Sequence, residues 1–394
     1  MSRARLPEAS GAWAPLSGIR VVDFSMFVPG PFASAMLADL GAGVIKVEPP
    51  GGGTGPLPRP GGDPGRYYVP VQFAMENRNK RSLAVDLKKT ASTRVVEKLV
   101  KQADIVIEGF RPGVAKRLGI DHESLSRMNS SLIYCSISGY GQTGPWRERP
   151  GHDVNYVAAA GGLAFPGQWL QPPARSSLPI ADMSGGSYAA IAVLSALHEK
   201  NRTGKGAYLD LSLFEAAFFL AAMRHSLDPR ADPRAHLFPV NDVFETADGK
   251  RLTLGILEEH FWQNFVRCVP GFDEPSFSTD AQRRANGDAL SARLSETMKK
   301  KTAAQWVELL EANDVPVDLC LTPAESAQTI QLKERNTVQG AFAMFPVWAN
   351  GRRGGELRSG VPRLGEHSRE ILVELGFDDA QIADLVRHGV LVQS

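Results

Sequence analysis

The stretch Ile19-Arg20-Val21-Val22-Asp23-Phe24 is a short apolar run rich in β-branched residues. It is followed by Pro31-Phe32-Ala33-Ser34-Ala35-Met36-Leu37-Ala38-Asp39-Leu40, whose apolar positions recur at helical spacing and stop at Gly41. A strand, a loop and a helix are therefore expected in that order, and residues 44–47 supply the next strand. The alternation continues with strands at 83–87, 104–107 and 132–137 and a helix at 92–102. Strands apolar on both faces, alternating with amphipathic helices, predict a mostly parallel sheet covered on both sides. The N-terminal half is accordingly read as doubly wound α/β. Such sheets bind ligands beyond the carboxyl ends of their strands, here at the loops 25–31, 109–113 and 138–145.

Outward from that core, the chain of 394 residues is long enough for two domains, and 43% of its residues are hydrophobic. Its 44 Lys plus Arg against 43 Asp plus Glu create no overall field to recruit nucleic acid or an anionic membrane, so neither is expected as a partner. Apolar runs such as 188–197 and 213–223 fall short of the roughly 20 residues that span a bilayer. Cys135, Cys268 and Cys320 are far apart, with no Cys-x-x-Cys pairing for zinc or a redox dithiol. No metal site is predicted, and a reducing compartment fits. The start, Met-Ser-Arg-Ala-Arg followed by Pro, Glu and Ser, has no apolar leader region, which makes the cytoplasm of a bacterium the expectation. Residues 51–65, rich in Gly and Pro, read as an irregular loop.

In the second half, a strand at 208–211 and a helix at 214–224 lead to a polar, proline-broken linker at 228–239. Beyond it lie a hairpin around Ala247-Asp248-Gly249-Lys250 and helices at 258–268, 287–298 and 303–313, predicting a smaller α+β domain. Two more amphipathic runs, 369–375 and 380–388, end at Gly389. Gly139, Gly141 and Gly144 read as turn glycines, because no strand-Gly-x-Gly-x-x-Gly-helix unit surrounds them.

Two segments carry chemistry: Gly151-His152-Asp153-Val154-Asn155-Tyr156 and Ala181-Asp182-Met183-Ser184-Gly185-Gly186. A His and an Asp in one pocket can serve as general base and general acid on opposite sides of a carbon, as in proton abstraction beside a carbonyl. Ser184, Gly185 and Gly186 read as a helix start whose free amides would keep Asp182 ionised and stabilise a developing oxyanion. The same residues also suit a hydrogen-bonded structural His and a plain helix cap, and spacing alone leaves both open.

Several segments together resemble the class III CoA-transferase family, which includes the α-methylacyl-CoA racemases. They are Leu16-Ser17-Gly18-Ile19-Arg20-Val21-Val22-Asp23-Phe24, Leu37-Ala38-Asp39-Leu40-Gly41-Ala42-Gly43-Val44-Ile45-Lys46-Val47-Glu48, Asn79-Lys80-Arg81-Ser82, Thr203-Gly204-Lys205-Gly206 and Pro362-Arg363-Leu364-Gly365-Glu366-His367. The resemblance implies a Rossmann-like large domain (1–225), a small α+β domain (226–325) and a return segment (326–394), in an interlocked homodimer. It implies an acyl-CoA substrate, with coenzyme A as part of that substrate and no prosthetic group. Leu87, Lys88, Gly109, Phe110, Arg117 and Leu118 match its nucleotide-end contacts, in keeping with an adenine's need for an apolar platform and the phosphates' need for cations.

Two chemistries compete within the resemblance. Transferases use the Asp at position 182 as a nucleophile that carries the acyl group and then the CoA. Racemases pair it with the His at position 152 and exchange the α-proton through an enolate. His152 favours the racemase branch, as do the lack of a glycine loop between 224 and 244 and Val28 where transferases place a Gln. Glu258 matches a racemase Glu that interacts with the catalytic His, and an exposed acid in a first helical turn explains it equally well. Pro49, where many relatives have Arg, and the unusual stretch 224–239 depart from the family pattern.

Overall fold

The computed structural model describes residues 11–51 and 61–392. Most of the irregular loop expected at 51–65, and the first ten residues read for a leader, lie outside the described residues. The chain divides into two compact units: Met1–Ala160, Leu178–Phe219 and Gln331–Ser394 form the first, and Gly161–Ser177 with Leu220–Ile330 the second.

The first unit is built on β1 (Arg20–Asp23), β2 (Gly43–Glu48), β3 (Lys80–Val85), β4 (Ile105–Glu108), β5 (Ile133–Ser138) and β6 (Ala207–Ser212). They lie in the order β3-β2-β1-β4-β5-β6, and all these pairs are parallel. The order reverses between β1 and β4, which opens a crevice at the carboxyl ends of the strands. A two-residue strand, Leu391–Val392, adds antiparallel to β3 at the edge. Its pairing comes from tertiary contact, since two residues carry no periodicity. The helix Thr93–Lys101 buries Val95, Val96, Leu99 and Val100 along one stripe. That stripe joins a core containing Val22, Leu83, Val106 and Tyr134 from the strands and Ile371, Leu372 and Leu385 from the C-terminal helices.

The segments that carry the resemblance form the scaffold. Lys80 pairs with Asp23 at 3.2 Å with both side chains fully buried, and Arg81 holds Glu370 and Glu374, each at 2.7 Å. Ser82 Oγ donates to Glu48 and accepts the Gly365 amide, while the Ser82 carbonyl accepts the His367 amide. The Asn79–Ser82 and Pro362–His367 signatures are thus two halves of one junction.

In the second unit, β7 (Asn241–Glu245), β8 (Arg251–Gly255) and β9 (Val317–Leu319) form an antiparallel sheet. Helices Glu259–Cys268, Gly287–Met298 and Ala303–Glu311 bury Trp262, Phe265, Leu294 and Trp306 against it. Residues 161–177, which the sequence leaves with the large domain, pack with this unit. The Trp169 amide donates to Asp242 at 2.7 Å and its indole Nε1 to Asp288 at 2.8 Å.

The helix expected to begin near Ser184 instead runs from Ile180 to Thr203. At 24 residues it is long and apolar enough by composition to cross a membrane, yet it packs on the helix Pro29–Asp39 and on β6. Gly185 and Gly186 therefore lie inside it and permit that close approach: a Cβ on Gly186 would stand 2.6 Å from the Pro29 carbonyl oxygen and 2.9 Å from the Phe32 ring. Gly186→Val is expected to cost about 1–3 kcal/mol through overpacking. The measurement is the shift of the urea midpoint relative to the wild type.

Candidate functional site

The first turn of the helix Ile180–Thr203 holds Asp182, and the N-cap of the shorter helix Asp153–Ala159 is His152. The carboxylate of Asp153 joins these two helix starts. Its Oδ1 accepts the Ala181 amide at 2.7 Å and the Asp182 amide at 3.3 Å. A helix N-terminus leaves its first amides without intrahelical partners, and here a carboxylate from another segment satisfies two of them. His152, next in the chain to Asp153, is exposed, and its own amide donates to Asn155 Oδ1 at 3.0 Å.

Two expectations are corrected at this point. The amides near Asp182 are not free for an oxyanion: Asp153 takes those of Ala181 and Asp182, the Met183 amide donates to the Pro179 carbonyl, and Gly185 lies beyond the first turn. Nor do those amides hold the Asp182 carboxyl down. Burial, reinforced by the neighbouring Asp153 charge, pushes its carboxyl up to about 7. The sequence placed the helix start too late, so the donors it counted do not exist there.

Behind Asp182 stands Tyr156. Its hydroxyl donates to the Gly151 carbonyl at 2.6 Å, and its ring meets Tyr140 edge-on with centroids 5.2 Å apart. Burial and the adjacent Asp182 push the phenol up to about 12. Gly139 is the one member of the glycine trio without a positive φ. A Cβ there would stand 2.7 Å from the Tyr156 ring, so it allows a close approach, whereas Gly141 and Gly144 are left-handed turn residues.

Beyond the ends of β1 to β4 lies a cavity of about 340 Å³. Leu87, Phe110 and Leu118 give it an apolar wall, with Lys88 and Arg117 exposed at its rim. Met26, from the loop 25–31, and Pro49 also line it. A Cβ on Gly109 would come to 3.4 Å from the Ser25 side chain, and Gly109 leads into Phe110, whose amide donates to Glu108 at 2.7 Å. Burial pushes the Glu108 carboxyl up to about 7. A second cavity of about 630 Å³ has Met36, Met75, Met183 and Met344 in its wall together with Phe32 and Pro179, so it flanks the turn that carries Asp182. Among the described residues, no group of three or more His, Cys, Asp or Glu side chains gathers as a metal site would require.

Glu258 is the N-cap of the helix Glu259–Cys268 in the second unit, where it is exposed and makes no side-chain capping bond. The residue that sequence reasoning missed is Asp153. Its signal was its place in Gly-His-Asp-Val-Asn-Tyr, but only tertiary structure shows which amides it meets.

Comparisons with known proteins bear on this arrangement. A family model described as CoA-transferase family III matches residues 16–368. An acetyl-CoA:oxalate CoA-transferase from Acetobacter aceti is 33% identical, covering 93% of this chain and 97% of its own. An alpha-methylacyl-CoA racemase from Homo sapiens is 30% identical, covering 94% and 96%. The crystal structure of a CAIB/BAIF family protein from Brucella suis superposes with a TM-score of 0.78 at 30% identity, covering 92% of this chain and 99% of that one.

The raised carboxyl of Asp182 carries a stability signature. An unperturbed aspartate carboxyl titrates at 3.8 and the folded one near 7, so the folded state holds an extra proton in between, and stability is lost as pH rises through that window. Asp182→Asn cannot ionise. Its stability relative to wild type is expected to rise by more than about 1 kcal/mol between roughly pH 5 and pH 8, read from denaturant melts at each pH.

Proposed function

Because this chain belongs to CoA-transferase family III, an enzyme family, we propose that it binds an acyl-CoA and exchanges the α-proton of a branched acyl group, with His152 and Asp182 as the two acid/base residues. The observation that carries this reading is the Asp153 carboxylate, which ties the start of the Asp182 helix to the residue beside His152. A carboxyl near 7 is suited to the work, because a group that must both take and return a proton is most effective when its pKa lies close to the working pH. At neutrality Asp182 is present in both forms. A proton removed by one of the pair and delivered by the other on the opposite face passes through an enolate and inverts the α-carbon. Coenzyme A enters as part of the substrate. Its adenine end suits the wall of Leu87, Phe110 and Leu118 reached past Gly109, and its phosphates suit Lys88 and Arg117. The acyl chain suits the methionine-lined cavity beside Asp182, since flexible thioethers fit irregular apolar shapes.

An interlocked homodimer belongs to this reading. Tyr68, Val71, Ile191 and Phe219 of the first unit leave large apolar side chains exposed that a second copy would cover. A second reading, CoA transfer with Asp182 as the nucleophile, is favoured by the likeness to a named CoA-transferase over nearly the whole chain. The same scaffold serves both reactions.

Incubated in deuterium oxide, a chiral 2-methylacyl-CoA is expected to gain deuterium at the α-carbon and lose its handedness. His152→Ala is expected to slow this by about 10²-fold or more, as the loss of a general acid–base group does. Hydroxylamine added during turnover should leave Asp182 unmodified. Trapped Asp182 in the absence of α-exchange would replace proton transfer with the transferase reading.

A further inference from the structure

The loop that leaves β1 is held in a shape its sequence does not favour. Phe27 has φ +63°, a left-handed conformation rare for a bulky aromatic residue, and it is 47% exposed, so burial of its ring does not enforce it. Buried charges grip the backbone instead. The Ser25 amide donates to Asp23 at 2.9 Å, and its carbonyl accepts from Lys46 Nζ at 3.0 Å. The Phe27 amide donates to both carboxylate oxygens of Asp63, each at 3.1 Å. Asp63 is in turn paired with Lys46 at 3.0 Å, with both side chains fully buried, and it accepts the Gly65 amide at 2.8 Å. Met26, between the two gripped residues, lines the 340 Å³ cavity. A buried ion pair is a weak source of net stability, because desolvation cancels much of its attraction. Strained backbone that surrounding groups over-determine is characteristic of binding and catalytic loops.

We propose that Asp63 is a positioning residue for acyl-CoA: by holding the Phe27 amide it fixes the left-handed turn, and the exposed Phe27 ring so presented is the seat for the pantetheine arm. This rests on the reading that acyl-CoA occupies the cavity lined by Met26. The arm is long, flexible and largely apolar between its amides, and a rigid aromatic platform orders it at low entropic cost.

Calorimetric titration with acetyl-CoA and with adenosine 3′,5′-bisphosphate, which is the nucleotide end alone, tests this. Phe27→Gly keeps the turn that glycine adopts freely and removes only the ring. It is expected to weaken acetyl-CoA about tenfold while the bisphosphate stays within about twofold. Asp63→Asn is expected to show the same selective loss, and the double variant to be no weaker than Phe27→Gly, because the two residues act through one contact. Asp63→Glu, which keeps the charge opposite Lys46 but moves the acceptor, provides the same comparison should the Asn variant not fold. Unchanged acetyl-CoA affinity in Phe27→Gly, equal losses for both ligands, or losses that add in the double variant would each overturn the proposal. Wild-type protein that binds neither ligand overturns both this and the cavity assignment. Binding of both without α-exchange overturns only the proton-transfer reading.

Discussion

The Asp153 carboxylate, accepting the amides of Ala181 and Asp182, is the contact on which the arrangement of the site depends. A negative group at a helix N-terminus is favoured by the unpaired amides and by the helix dipole, by roughly 0.3–2 kcal/mol. Asp153 occupies that favourable position, and Asp182, in the first turn itself, is left with burial and a like charge beside it. Burial first, and then the Asp153 charge beside it, raise the Asp182 carboxyl. The raised Asp182 is therefore a consequence of where the helix begins, and the helix begins where Asp153 caps it.

Packing makes that beginning possible. The helix Ile180–Thr203 can lie against Pro29–Asp39 only because residue 186 lacks a side chain, and against Leu211 and Leu213 only because residue 185 does; Tyr156 can stand behind Asp182 only because residues 139 and 151 lack them. A Cβ on Gly151 would stand 2.7 Å from the Tyr156 ring. Close-packed interiors respond to a single methyl group. These four glycines therefore serve the spacing between elements more than the local turn.

The alternation of apolar strands with helices was legible from residue 19 onward, and the observed ends of β1, β2, β4, β5 and β6 lie within a residue or two of the expected ones. β3 begins earlier than its apolar run suggests, at Lys80, because its polar N-terminal half is made tolerable in the interior by Asp23 and Glu48. Five of the six residues assigned to the nucleotide end line one cavity, and the sixth, Gly109, adjoins it. The start of the Asp182 helix was not legible. Ser184-Gly185-Gly186 has the composition of a helix entrance, and the true cap comes from Asp153, remote in sequence. Tertiary capping of this kind leaves no local pattern.

The signatures that reveal the family do different physical work from the residues that decide its chemistry. Lys80, Arg81, Ser82 and Gly365 knit β3 to the C-terminal segment, and Lys46 and Asp63 fix the loop after β1. A resemblance carried by such residues speaks to the fold, which can host more than one reaction. Both proposed reactions turn on what is asked of Asp182. A nucleophile reacts as the carboxylate, whereas a residue that alternates between accepting and returning a proton uses both forms, and burial raises the Asp182 carboxyl toward neutrality. Burial beside Asp153 acts on the carboxyl in either role, so the two readings part at the substrate: proton exchange inverts the α-carbon, and transfer leaves it untouched.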